Sequence, residues 1–151
     1  MILGIDLGGT NLCIGLVEDN VVKQVVSVPS FSPSFTLEQT LDYLADRIAE
    51  VITPEVEKIG IGVPSVVDVE KGIVYDAANI PSWKEVHLKE YLESRFGLPV
   101  NINNDANCYA MGAYGKYPLD SKPEVLVAVN YLAIFSVRIL ECVPVLTQVS
   151  H

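Results

Sequence analysis

The segment Asp6-Leu7-Gly8-Gly9-Thr10-Asn11 lies between two apolar runs and leaves the backbone little choice of path. Residues 2–5 are a compact apolar run, and residues 12–17 resume one after the glycines. Short strand-type runs separated by a Gly-Gly turn fold back on each other as an antiparallel pair. Glu18-Asp19-Asn20 supplies polar turn chemistry, and residues 21–28 are rich in β-branched side chains. The chain is therefore predicted to open as a three-stranded meander. Residues 29–34, with two prolines and three serines, make a loop after it.

Alternation of helices and strands follows. Thr36-x-x-Gln39 has the form of a capping box, and Leu37, Leu41, Leu44, Ile48 and Val51 or Ile52 recur at helical spacing until Pro54. Residues 58–63 read as a short buried strand stopped by Pro64, before a loop-rich section with Gly72, Asn79, Pro81 and Trp83. A helix is predicted over 87–96 with Gly97 as its C-cap, then a strand over 100–102. A helix over 105–114 and a last strand over 124–129 complete the reading. The order β-β-β-α-β-α-β-α-β predicts an α/β layer fold with a mixed sheet.

A chain of 151 residues, 50% of them hydrophobic, is expected to form one domain with a real core. Ten basic residues against nineteen acidic ones give a net charge of −9, and no Lys/Arg cluster is present to grip a nucleic-acid backbone. Local phosphate binding stays open, because backbone N–H groups can supply it. The cysteines Cys13, Cys108 and Cys142 have no C-x-x-C spacing and read as reduced. No basic-then-apolar leader opens the chain, and the apolar stretch 125–137 is too short to span a bilayer. A soluble cytoplasmic domain is expected.

Three clusters carry candidate chemistry. Gly8 and Gly9 permit positive φ and remove side chains, so backbone can approach an anion; Thr10 adds a hydroxyl and Asp6 a carboxylate suited to a metal-bound water. The same glycines also suit an ordinary hairpin turn. The spacing is neither the Walker loop nor the dinucleotide fingerprint. In Asn103-Asn104-Asp105-Ala106-Asn107, four Asn or Asp side chains stand at a helix start, a density that suits a polyhydroxylated ligand. Asp105 there could accept a proton from a sugar hydroxyl as its oxygen attacks phosphorus. Plain N-capping explains part of this cluster as well. The third cluster, Gly62-Val63-Pro64-Ser65-Val66-Val67-Asp68 with Ala78-Asn79-Ile80-Pro81 and Trp83, reads by itself as loop around a partly buried Trp.

Together, Asp6-Leu7-Gly8-Gly9-Thr10, Gly62-Val63-Pro64, Asn79-Ile80-Pro81-Ser82-Trp83 and Asn104-Asp105-Ala106-Asn107 resemble the ROK family of sugar kinases and sugar-responsive repressors, over residues 1–129. The resemblance implies a two-lobed actin/hexokinase-type (ribonuclease H-like) fold, of which these residues are the first lobe. It implies transfer of the γ-phosphoryl of ATP, with Mg²⁺, to a hexose held between the lobes, glucose being the default. Gly8, Gly9 and Thr10 fall on its first phosphate motif, and Asp6 on its metal-proximal carboxylate. Asn79, Asn104 and Asp105 fall on sugar contacts, and Asp105 also on the catalytic base. No residue is assigned as a direct metal ligand.

Departures from the pattern are specific. Ser65 stands where the family usually has glycine, and Ala113 where a glutamate commonly follows Gly112. Residues 130–151 lack the second phosphate turn, the Glu-x-Gly-His motif and the zinc motif, and neither His87 nor His151 replaces them. The expectation is a non-family apolar tail, produced by a shifted reading frame or a junction, on a lobe that does not phosphorylate sugar by itself. An intact frame with a natural stop in the nucleotide sequence would refute the frame shift. The tail is further expected to add an edge strand or pair with another copy. The alternative functions are a sugar-responsive regulator of the same family, which would carry a helix-turn-helix, and a non-catalytic sugar-binding or interaction domain.

Overall fold

The computed structural model describes residues 1–115. The meander forms as the residues dictate: β1 (Ile2–Leu7), β2 (Asn11–Glu18) and β3 (Val21–Pro29) pair antiparallel in sequence order. Asp19 and Asn20 close the second hairpin with φ of 52° and 61°, the left-handed pair of a type I′ turn that Asp and Asn tolerate. α1 (Leu37–Val51) begins at the expected box: Gln39 N donates to Thr36 Oγ1 at 3.2 Å, and Thr36 N donates to Gln39 Oε1 at 2.9 Å. Its buried stripe is Thr40, Leu44, Ala45, Ile48 and Val51. Full burial of Leu44 and Ile48 stabilises the fold by about 1.5–3 kcal/mol each.

β4 (Lys58–Val63) lies parallel to β1, and β8 (Val100–Asn104) parallel to β4, so the main sheet has the order β3-β2-β1-β4-β8. The pleat divides it into two faces. Leu3, Ile5 and Leu7 share one face with Leu12, Ile14, Ile59, Ile61, Val63, Val100 and Ile102, and there they join one core with α1 and α2 (Leu88–Phe96). Gly4, Asp6, Gly60 and Gly62 point to the other face, where α3 (Asp105–Gly115) packs. A Cβ at Gly62 would sit 3.5 Å from Cys108 Sγ and 3.6 Å from Asp105 Cα, which shows how closely α3 approaches the strand.

The loop-rich section is more regular than expected. It contains β5 (Val66–Asp68), β6 (Ile73–Tyr75) and β7 (Glu85–Val86), an antiparallel sheet of its own. The order over the described residues is therefore β-β-β-α-β-β-β-β-α-β-α, a correction to the predicted one. Strands of two or three residues carry no readable period, which is why the pattern passed for loop. Gly97 caps α2 as expected, at φ 67°, with its N–H on Glu93 O at 2.9 Å. The strand predicted over 100–102 runs on to Asn104, and the predicted strand 124–129 and tail 130–151 lie outside the described residues.

Candidate functional site

Three parallel strands, β1, β4 and β8, end together, and open α/β sheets bind ligands beyond such carboxyl ends. Asp6 pairs with Gly62, and Gly62 with Asn103, so one row crosses the strands at about 4.8 Å each. Asp6 shares the face of Gly62, and Asp105 covers Gly62 from the start of α3. The two predicted carboxylates thus border the same glycine on the same face, both half-buried. Asp105 Oδ1 accepts the Ala106 N–H at 2.7 Å, a position where the N-terminus of a helix favours negative charge.

The glycine turn is held from behind. Gly8 N donates to Asn11 O at 3.0 Å, Ser30 N donates to Thr10 O at 2.9 Å, and Ser30 Oγ donates to Gly8 O at 2.7 Å. Neither Gly8 nor Gly9 is in the left-handed region, so the expected use of positive φ is corrected. Space is the reason for both: a Cβ would lie 2.8 Å from Asn11 O at Gly8, and 2.9 Å from Asn79 Nδ2 at Gly9. The fold therefore brings Asn79 onto the glycine turn, with Gly9, Thr10 and Asn79 exposed.

Asn79 is carried by a tight turn. Ile80 N donates to Ala77 O at 3.0 Å, Trp83 N to Ile80 O at 2.8 Å, and Ala77 N to Trp83 O at 3.1 Å. Trp83 anchors the turn from within the core: it is fully buried, and its Nε1–H donates to Thr40 Oγ1 at 2.7 Å. The Phe31 ring packs 5.7 Å from it, centroid to centroid.

Capping occupies much of the asparagine cluster. Asn104 Oδ1 accepts the N–H groups of Ala106 at 2.9 Å and Asn107 at 3.4 Å, while its Nδ2 donates to Ser65 O at 2.8 Å. Asn103 Oδ1 accepts from Asn104 N and Asn107 Nδ2. Asn104 thereby ties the head of α3 to the loop after β4, and Ser65 Oγ donates onward to Tyr75 O in the small sheet. Sequence reasoning singled out Ser65 only as a replacement for glycine and not as a joint, and it missed Ser30 as a support because Ser30 lies in no recognisable motif. A separate open groove between α1 and α2, lined in part by Leu37, Leu41, Val86 and Tyr91, contains none of the predicted site residues. Among the described residues no group of three or more His, Cys, Asp or Glu could hold a metal ion, and no helix is long and apolar enough to cross a membrane.

Over 113 residues the chain is 34% identical to a glucokinase of Streptomyces coelicolor, covering 74% of this chain and 35% of that protein. It is 31% identical over 133 residues to an N-acetyl-D-glucosamine kinase of Aliivibrio fischeri, covering 83% and 42%. Among solved structures, the ROK family glucokinase from Streptomyces griseus in complex with glucose and AMPPNP superposes with a TM-score of 0.64 at 35% identity, over 75% of this chain and 36% of that one. A ROK family transcriptional regulator, a homolog of the E. coli MLC protein, superposes with a TM-score of 0.66 at 25% identity, over 76% and 30%. The chain thus spans roughly a third to two-fifths of the length of the curated relatives it matches. Its mixed sheet with flanking helices is the actin/hexokinase-like α/β fold of the ROK sugar kinases. With residues 2–129 matching the model of the ROK family, and the motif residues gathered at one strand end, the chain belongs to the ROK family.

Proposed function

We propose that residues 1–129 are the sugar-facing lobe of a glucokinase-like, ATP-dependent hexose kinase, and that residues 130–151 form an apolar tail outside that lobe. The observation that carries this reading is the pairing of Asp6 and Asp105 around Gly62, beside the turn that Asn79 overlies. Asp105 acts as general base: it takes the proton of the reacting sugar hydroxyl while that oxygen bonds to the γ-phosphorus and the bond to ADP breaks. Asn79 and the remaining N–H of Asn104 hold neighbouring hydroxyls, and Gly8, Gly9 and Thr10 present backbone and hydroxyl donors to phosphate oxygens. Positioning of this kind provides most of the catalysis in phosphoryl transfer.

The donor set fits Mg²⁺ of the kind that keeps most of its waters, with Asp6 as the nearby carboxylate. Bound with the nucleotide, that ion neutralises charge on the transferring group. A soluble, cytoplasmic setting goes with the same reading. A hexose-sensing regulator is the second reading, favoured by the likeness to a ROK regulator and opposed by the net charge of −9. Replacing Asp105 by Ala in a full-length kinase carrying this lobe tests the proposal. Turnover should fall by about 10²–10⁴-fold. Activity within about tenfold of the parent would remove Asp105 from the base role.

A further inference from the structure

Ser30 lies outside every motif, yet it makes two hydrogen bonds to the glycine turn. Its N–H donates to Thr10 O at 2.9 Å and its Oγ–H to Gly8 O at 2.7 Å. No cis peptide bond is present among the described residues, and in a trans peptide unit the C=O and the next N–H point in opposite directions. Holding the Gly8 carbonyl toward Ser30 therefore turns the Gly9 N–H away from it. Holding the Thr10 carbonyl likewise fixes the Thr10–Asn11 unit. The Gly8 N–H is already committed to Asn11 O, so the Gly9 N–H is the donor whose aim Ser30 decides. The next residue, Phe31, packs on Trp83 at the base of the turn that carries Asn79. Two consecutive residues thus brace both the glycine turn and the turn that overlies it.

We propose that Ser30 is a positioning residue for anion binding: it aims the Gly9 N–H outward at a phosphate oxygen and, with Phe31, keeps Asn79 in register with it. This rests on reading the glycine turn as phosphate-binding. The test is an amide NMR titration of the ¹⁵N-labelled chain with magnesium tripolyphosphate, on wild type, Ser30→Ala and Ser30→Thr. In the wild type, the Gly9 and Thr10 amides should shift saturably. Ser30→Ala should weaken that binding about five- to tenfold, the equivalent of one net hydrogen bond. Ser30→Thr, which keeps the hydroxyl, should restore it to within about twofold. Equal binding by Ser30→Ala would overturn the role of Ser30 and leave the phosphate reading intact. No saturable shift of the wild-type turn amides would overturn both. An independent check uses the wild type alone: Gly8 should be protected from hydrogen exchange and Gly9 should not. A protected Gly9 amide would show that it points inward and would sink the inference even if Ser30→Ala fails to fold.

Discussion

Two contacts carry the logic of the molecule at the scale of single residues. Gly9 is glycine because Asn79 occupies the space a side chain would need, at 2.9 Å from the would-be Cβ. Gly9→Ala should therefore displace the Asn79 amide, an exposed group that can move at little cost to the fold. The expected result is a stability change within about 0.5 kcal/mol in urea unfolding, together with a clear shift of the Asn79 side-chain amide resonance. An unmoved Asn79 resonance would disprove the contact. Thr40, the one fully polar residue in the described core, accepts the buried indole N–H of Trp83. Thr40→Val conserves shape and leaves that N–H without an acceptor, which should cost about 1–3 kcal/mol. Trp83 is the sole tryptophan, so its fluorescence reports the loss directly. The candidate set Asp6, Gly8, Gly9, Asn79 and Asp105 was legible as residue types in order. The support from Ser30 was not, because its backbone and hydroxyl contacts depend on where the chain returns after β3.

At the scale of elements, local rules decided most outcomes. The capping box at Thr36, the apolar stripe of α1 and the left-handed Gly97 all follow from short-range energetics that act before any tertiary contact. The small sheet of β5, β6 and β7 does not, since its strands are too short to have a period and depend on neighbours. Gly72 and Gly97 separate the two cases, for both have φ near 67°. Nothing lies within 4 Å of a Cβ at Gly97, so Gly97→Ala should cost only the left-handed strain, about 1–2 kcal/mol. At Gly72 a Cβ would fall 2.1 Å from Lys89 Cβ, where the hairpin presses on the start of α2. Gly72→Ala should add an overpacking cost of about 1–3 kcal/mol to the same strain. Denaturant midpoints compared for the two variants check this; equal losses would mean that the hairpin yields freely.

For the whole molecule, the sheet order decides which candidate residues meet. Placing β4 between β1 and β8 sets Gly62 beside Asp6 and under the start of α3, so Asp6 and Asp105 border one glycine on one face. On the proposed reading this lobe contributes a base, sugar contacts and one phosphate turn. Phosphoryl transfer also needs the nucleotide held in line and water excluded from a closed cleft. The pure 151-residue polypeptide is accordingly expected to show no ATP-dependent hexose phosphorylation in a coupled assay of ADP release. Turnover above the no-protein blank would refute that expectation.

By itself the sequence determined which residue types could do chemistry and where the longer strands and helices would form, because propensity, capping and turn geometry act over a few neighbours. The tertiary structure alone decided that Asn79 covers Gly9, that Ser30 backs the glycine turn, and that Asp6 and Asp105 share a face. Those meetings depend on strand order and register. Both are set by the burial of Leu3, Ile5, Ile59, Ile61, Val100 and Ile102 on one face, a collective energy that no local window contains.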